Sequence, residues 1–473
     1  MSSHKGTPQV VLSILVLVIT CTILSWTLTN VECQQDSSSH SSLLSMIGSS
    51  QKAFAGNIFN SILSQQQSSS QIDSSSSLTS NMVLSPFSLF MVLSMLVTGS
   101  RGDTQQELLH ALSLNQSQFN SQNLASFPEA MKEIISSYSQ TSSELSIANG
   151  LFVEQTFDIS QDFSNTIVSQ FKSEIRKCDF VQNYENERRS INSWISDKTR
   201  NLLRDVLQPG SIESQTKLLL INAIYFLGKW KVAFNPEITI SGRFRKLSTT
   251  GSTTEDSEIS VQFMTKRRTL EKYGENDLYK WLRLPYSNED FEMLFLVPKS
   301  SVELSVENEK EFIRWISNKL INKDQPDGSN NNGQNLSELF ETSTTKLRIV
   351  QIPKFKAEIN TLELSTILKE SPFNMETSFN MDRANFSGIL TQESLLNGGQ
   401  LWVDKIYHKA MLKVDESGTE AAAVTVARIS YRMARPTRTM PEFVLDRPFC
   451  FMLSHIPTQS VLFVGRVNLL GSV

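Results

Sequence analysis

The spacing of apolar positions changes along this chain, and the changes divide it into elements. Phe54, Ile58 and Ile62 recur at helical spacing with Ala55, Phe59 and Leu63 beside them, which predicts one amphipathic helix. Ser85-Pro86 is a helix start, since a Ser side chain accepts an orphan backbone N–H and Pro suits the first turn. Leu89 to Val97 is apolar nearly all round and predicts a buried helix. Thr104-Gln105-Gln106-Glu107 has capping-box spacing and predicts a further helix through Leu112. Ile191, Trp194, Ile195, Leu202, Leu203 and Val206 line one helical face, with Pro209-Gly210 as its stop. Leu218 to Phe226 is short and mostly apolar, as in a strand buried on both faces. Beyond residue 260 strand-like segments predominate, at 291–297, 347–352, 410–414 and 460–467. Helices early and strands late predict an α+β domain built on large sheets.

Polar stretches punctuate this pattern. Residues 64–80 hold nine Ser in seventeen positions, a composition that buries no core and reads as a solvated linker. Two more polar inserts, 247–258 and 323–334, are too short to separate domains, so one large domain with decorated loops is expected. At the amino terminus, nine polar residues with Lys5 precede an apolar run from Val10 to Ile19 and a mixed stretch to Leu28. This is signal-peptide organisation. Residues 1–33 are read as the leader, with cleavage after Cys33 leaving Gln34 first in a mature chain of 440 residues. Thr20, Thr22, Ser25 and Thr27 weaken the rival reading, a retained membrane anchor. Residues 34–80 then form a Ser/Gln-rich amino-terminal segment that carries the first helix.

Charge and chemistry narrow the function. Forty-four Lys and Arg against 48 Asp and Glu give a net charge of −4, without the basic excess of a general nucleic-acid binder. Four Cys in 473 residues make no disulfide scaffold. Cys178 and Cys450, which remain after the leader, are expected to be buried thiols. His40, His110, His408 and His455 show no metal spacing, and there is no Cys-X-X-Cys, His-Glu-X-X-His, Gly-X-Ser-X-Gly or phosphate-binding Gly loop. An enzyme is therefore the poorer hypothesis, and no cofactor or metal is expected. Asn115, Asn335 and Asn385 head Asn-X-Ser triplets, candidate glycosylation sites in a secreted chain.

The most informative stretch is 410–453. Ala410 to Asp415 alternates as a strand does, and Gly418-Thr419-Glu420-Ala421-Ala422-Ala423 follows. The Ala run alone can also be read as a helix start, because Ala is the best helix former. Read as a strand, it places Thr419, Ala421, Ala423, Thr425 and Ala427 on one face, all small, and Glu420, Ala422, Val424, Val426 and Arg428 on the other. A segment with one small face can slide between existing strands. Beyond it, Arg432, Arg435 and Arg438 have no acidic neighbours and suggest an exposed, protease-cleavable loop.

These residues, with others in order along the chain, resemble a serpin from about residue 46 to the end. The resemblance is carried by Asn81-Met82-Val83-Leu84-Ser85-Pro86-Phe87-Ser88, by Asn222-Ala223-Ile224-Tyr225-Phe226 with Gly228-Lys229-Trp230, and by Leu284-Pro285-Tyr286. Ile352-Pro353-Lys354-Phe355, Asp446-Arg447-Pro448-Phe449 and Gly465-Arg466-Val467 complete it. It implies a single domain over 46–473 with three β-sheets, about nine helices and an exposed reactive-centre loop at about 416–445. It also implies inhibition by entrapment: a serine protease attacks the bait bond, an acyl-enzyme forms, and the severed loop inserts into the main sheet before water releases the ester.

The hinge Glu416-Ser417-Gly418-Thr419-Glu420-Ala421-Ala422-Ala423 is close to the family's inhibitory pattern. The family's count of seventeen from Glu416 puts the bait bond at Arg432–Met433, suited to a trypsin-like protease. Arg432 is sixteen residues before Pro448, longer than in many relatives, so Arg438–Thr439 is the alternative bait. Ser85, Ser88, Asn222 and His408 match the shutter, a polar cluster under the centre of the main sheet, and Trp230 matches the breach where the loop first inserts. A monomer is expected, with no nucleic-acid partner and no membrane association after leader removal. A glycosaminoglycan cofactor is not favoured, because 126–140, which resembles the family's cofactor-binding helix, holds only Lys132. Lys266-Arg267-Arg268 reads as solvated surface. The competing functions are a non-inhibitory serpin (carrier, storage protein or chaperone) and a cross-class inhibitor of cysteine proteases.

Overall fold

The computed structural model describes residues 40–65, 81–114, 119–139, 145–247, 258–321, 343–358, 360–419 and 440–470. The bait positions Arg432, Met433, Arg438 and Thr439, the hinge residues Glu420 to Ala423, the leader, and Asn115 and Asn335 lie outside them.

An eight-stranded sheet carries the site. In spatial order it runs β3 (Glu174–Cys178), β2 (Leu145–Glu154), β4 (Leu218–Phe226), β13 (Lys405–Val414), β14 (Gly418–Thr419) and β5 (Gly228–Lys229), with β11 (Phe355–Glu358) and β12 (Leu362–Glu363) also on β13. The strand β4 is buried at every position, as its sequence predicts. Its alternate residues enter two cores. Leu218, Leu220, Ile224 and Phe226 join the main one, and Leu219, Ile221, Ala223 and Tyr225 a smaller one with Trp194 and Ile195.

A nine-stranded sheet holds β1 (Met82–Leu84), β17 (Ser460–Val467), β16 (Phe449–His455), β9 (Phe291–Pro298), β8 (Tyr279–Pro285), β7 (Glu258–Glu275), β10 (Ser343–Pro353) and β15 (Glu442–Val444), with β6 (Ile240–Arg245) on β7. Where three sheets are expected, hydrogen bonding splices two of them into this single path. The 18-residue β7 does so, pairing with β6 and β10 and then, near its end, with β8.

Nine stretches of the described residues are α-helical. Residues 40–65 contain the predicted amphipathic helix, with Phe54, Phe59 and Leu63 all buried. The helix Pro86–Gly99 starts where the sequence predicts: Ser85 Oγ accepts the Ser88 N–H at 3.3 Å. It is buried along almost its whole length beneath the eight-stranded sheet.

Three local expectations are corrected. Thr104 and Glu107 form no capping box, because the helix begins at Gly102. Both side chains serve another segment instead. Thr104 Oγ1 accepts the Asn385 N–H, and the Glu107 carboxylate accepts those of Thr377 and Ser378. The helix expected to reach Val206 ends at Lys198. There Thr199 Oγ1 takes the Leu203 N–H at 3.2 Å, while Arg200 and Asn201 adopt positive φ. Leu203 and Val206 are still buried, from a loop. Finally, Lys266 is not solvated: it lies mostly buried, 3.2 Å from Glu271 and 4.7 Å from the centre of the Phe234 ring. Cys178 and Cys450 are free and buried, as expected.

Candidate functional site

Two polar clusters sit on the eight-stranded sheet, both on its β4 and β13 strands or their extensions. The first lies at mid-sheet. Pairing sets His408 of β13 opposite Asn222 of β4, and Asn222 opposite Asn149 of β2, so three polar residues form a row across apolar strands. All three are buried, as are Ser85 and Ser88 at the start of the helix Pro86–Gly99 beneath.

The row is knitted together. The Ser85 N–H donates to His408 Nε2 at 3.1 Å, and His408 Nδ1 bonds Asn222 Oδ1. Nε2 is thus the acceptor and Nδ1 carries the proton, so the imidazole is neutral. Burial holds His408 down to about 3, which keeps it neutral at physiological pH. Ser88 Oγ donates to Asn222 Oδ1 at 2.7 Å, and Asn222 Nδ2 donates to Asn149 Oδ1. The strands β4 and β13 run parallel and paired from Leu219–Lys405 to Tyr225–Met411. Any strand inserted between them must break this pairing and the His408–Asn222 bond across the seam. The four residues assigned from sequence as a shutter therefore do meet. Asn149, the fifth member, escaped the sequence reading; a single Asn inside the apolar run Ile147 to Phe152 was its only signal.

The second cluster lies where β13 turns back. Asp415 and Gly418 exchange backbone hydrogen bonds, and the chain reverses into β14, antiparallel to β13 and to β5. Gly418 is required there. Its φ is +151°, and a Cβ would stand 2.0 Å from the Gly228 carbonyl oxygen. Trp230 is more than core filler: its N–H donates to Ser417 O at 2.9 Å and its indole Nε1 to Asp415 O at 3.0 Å. Its ring stacks on Tyr286 at 4.6 Å. The Tyr286 hydroxyl in turn lies 2.7 Å from Thr419 Oγ1, which is fully buried.

Glu416 accepts from Thr239 Oγ1 at 2.8 Å and pairs with Lys354 at 3.1 Å. Burial raises its carboxyl pKa, but the Thr239 hydroxyl, a backbone N–H and Lys354 outweigh burial and hold it below the usual carboxylate value. Sequence reading placed Trp230, Glu416, Gly418 and Thr419 here and missed Thr239, Lys354 and Tyr286. Lys354 and Tyr286 stood inside quoted motifs, with no periodicity to show what they touch.

Asn385 is exposed, its Oδ1 accepting the Ser387 N–H at 3.3 Å. Lys132, in the helix Ser121–Ser139, pairs with Glu129 at 3.0 Å. Among the described residues, no group of His, Cys, Asp and Glu could hold a metal, and no helix is long and apolar enough to cross a membrane.

The serpin (serine protease inhibitor) family model matches residues 49–469, and the chain belongs to that family. It is 29% identical over 393 residues to Serpin B6 of Macaca fascicularis, covering 82% of this chain and 93% of that one. It is 29% identical over 388 residues to the leukocyte elastase inhibitor of Bos taurus, covering 82% and 93%. Among solved structures it is similar to Serpin48 of the insect Tenebrio molitor, with TM-score 0.70 and 23% identity over 90% of this chain and 98% of that one. Its class is thus that of the serpins, a family named for protein inhibitors of serine proteases.

Proposed function

We propose that this serpin is a secreted suicide inhibitor of a trypsin-like serine protease, with Arg432–Met433 as bait bond. The protease serine Oγ adds to the Arg432 carbonyl carbon, the bond to Met433 breaks, and the Met433 amine leaves with a proton from the protease histidine. The freed hinge then inserts between β4 and β13. The observation that carries this reading is β14: Gly418 and Thr419 already lie in the sheet between β13 and β5, antiparallel to both. That is the direction an inserting loop must take, and Thr419 opens the small-residue face. The apolar run from Val10 to Ile19 supports secretion, with a mature chain beginning at Gln34. Incubating the mature protein with equimolar trypsin tests the mechanism, followed by denaturing gels and intact mass. The expected result is a denaturant-stable adduct with release of a peptide beginning at Met433. A peptide beginning at Thr439 moves the bait to Arg438. Clean cleavage with trypsin left active, repeated across a protease panel, overturns inhibition in favour of a carrier or storage role.

A further inference from the structure

Between residues 384–390 and 395–401, the stretch that leads into β13, a cavity of about 310 Å³ opens to solvent. Leu390 and Leu401 are buried and Leu395 half-buried, so the cavity is apolar at depth, while Asn385, Gly398 and Gln400 on its rim are exposed. Part of its wall is bare backbone. Gly398 has φ +77°, and a Cβ on Gly399 would stand 2.5 Å from the Ser394 carbonyl oxygen, so neither position suits a side chain.

Asn385 lines this cavity and heads the triplet Asn385-Phe386-Ser387. Its backbone is fixed on both sides: its N–H donates to Thr104 Oγ1 at 2.9 Å, and its carbonyl accepts the Arg101 N–H at 2.9 Å. Its Oδ1 accepts the Ser387 N–H at 3.3 Å. This turn commits the amide oxygen. Nδ2, the atom through which an N-glycan is joined, has no protein partner among the described residues.

We propose that Asn385 carries an N-glycan whose first sugar seats in this cavity. This rests on the secretory reading above. In the attachment, a bond forms between Asn385 Nδ2 and C1 of the sugar, and the bond from C1 to the diphosphate of a lipid-linked oligosaccharide breaks. The lipid diphosphate leaves, and Nδ2 gives up one proton. The cavity suits a sugar better than a purely apolar ligand. A pyranose ring offers C–H faces to Leu390, Leu395 and Leu401, and its hydroxyl and acetamido groups reach polar side chains such as Gln400 at the rim. Because the sugar is tethered to a lining residue, seating is intramolecular, and contacts too weak to hold a free sugar suffice. The seated sugar then bridges 384–390 to 395–401 in the folded chain and not in the unfolded one, so it stabilises the fold.

The test expresses the full chain in a eukaryotic secretory cell and reads its peptide masses before and after a glycan amidase, which converts each glycosylated Asn to Asp. The expected result is a chain in the medium that begins at Gln34 and has Asn385 converted. With Asn115→Gln and Asn335→Gln, Asn385 heads the one remaining triplet. Trimming its glycan to the first N-acetylglucosamine with an endoglycosidase is then expected to leave the thermal midpoint unchanged. Complete removal is expected to lower the midpoint by about 1–2 °C, and Asn385→Gln to do the same. On the folded protein, Leu395→Ser is expected to speed the amidase at Asn385 about tenfold, with equal rates after denaturation, because only the unseated glycan is cleaved. A secreted chain with Asn385 unmodified overturns the site. A glycan on Asn385 whose complete removal leaves the midpoint unchanged, and whose release Leu395→Ser does not speed, overturns the seat. A chain kept inside the cell with residues 1–33 uncleaved overturns the secretory reading and the proposal with it.

Discussion

At the middle of the eight-stranded sheet every polar group is neutral and buried; where β13 turns back, the groups include an ion pair with water at its edge. His408, Asn222 and Ser88 are fully buried, while Lys354 is 31% exposed against Glu416. The two arrangements fail differently. A partly wet ion pair contributes about 1 kcal/mol or less, because solvent screens both charges. A buried network contributes little net energy while intact, but each group it strands costs about 1–3 kcal/mol. The mid-sheet cluster is therefore all-or-none and suits a seam that must stay shut. The cluster around Trp230 is graded and suits the root of a segment that must leave its place and go deeper. On the loop-insertion mechanism proposed above, both bear on the height of the kinetic barrier that such a mechanism requires.

The sharpest way to break the comparison is Asn222→Ala. Ser88 Oγ can fall back on Ser85 O at 3.1 Å, but His408 Nδ1–H and Asn149 Oδ1 are stranded in the core. The expected loss is about 3 kcal/mol. It is read as a lower urea midpoint and as faster spontaneous conversion to a heat-resistant, loop-inserted form on native gels. An unchanged conversion rate would show that the Asn222 network does not hold the seam.

Acid separates the two clusters without mutation. His408 is held from 6.5 down to about 3, so in this window the unfolded chain binds more protons than the folded one. Its contribution to stability is complete above pH 6.5 and falls as pH drops towards 3, by roughly 2–3 kcal/mol at pH 4.5. Glu416 is shifted below its ordinary 4.5, so its contribution is complete above that value and is lost only as pH falls further. Between pH 6.5 and 4.5 the seam is expected to weaken while the hinge anchor holds. His455, buried beside Tyr138 and lowered to about 4, titrates in the same direction. The check is the urea midpoint against pH for the unmodified protein and for His408→Gln. A smaller slope between pH 6.5 and 4.5 in the variant assigns the effect to His408, and parallel slopes assign it elsewhere.

How much of this was legible in sequence follows from what each residue type reveals locally. The buried strand β4, the helix start at Ser85-Pro86 and the two inert thiols were readable because burial and capping leave marks within a few residues. The shutter residues and Trp230 were assigned through resemblance; no spacing rule links residue 88 to residue 408. Tyr286, Lys354, Thr239 and Asn149 went unread because their roles arise from strand register between segments far apart in the chain. The capping-box error has the same origin. Thr104 and Glu107 have the right local spacing, yet backbone N–H groups near residues 377 and 385 claim them.

The finest test concerns the one hydroxyl that joins Trp230's stacking partner to the hinge. In Tyr286→Phe the ring can stay stacked on Trp230, and the hydroxyl that makes the 2.7 Å contact with Thr419 Oγ1 is removed. Thr419 is fully buried, so its hydroxyl is left without this partner. The expected cost is about 1 kcal/mol, a fivefold shift towards hinges that have left the sheet. Hydrogen exchange at the Gly418 and Thr419 amides should speed up about fivefold, while amides along β4 and β13 keep their protection. Thr419→Val removes the other half of the contact, and in the double variant neither hydroxyl is stranded. The two changes should therefore cost less together than the sum of each alone. If they simply add, the Tyr286–Thr419 contact does not hold the hinge, and the anchor lies in Glu416 and the Trp230 backbone bonds.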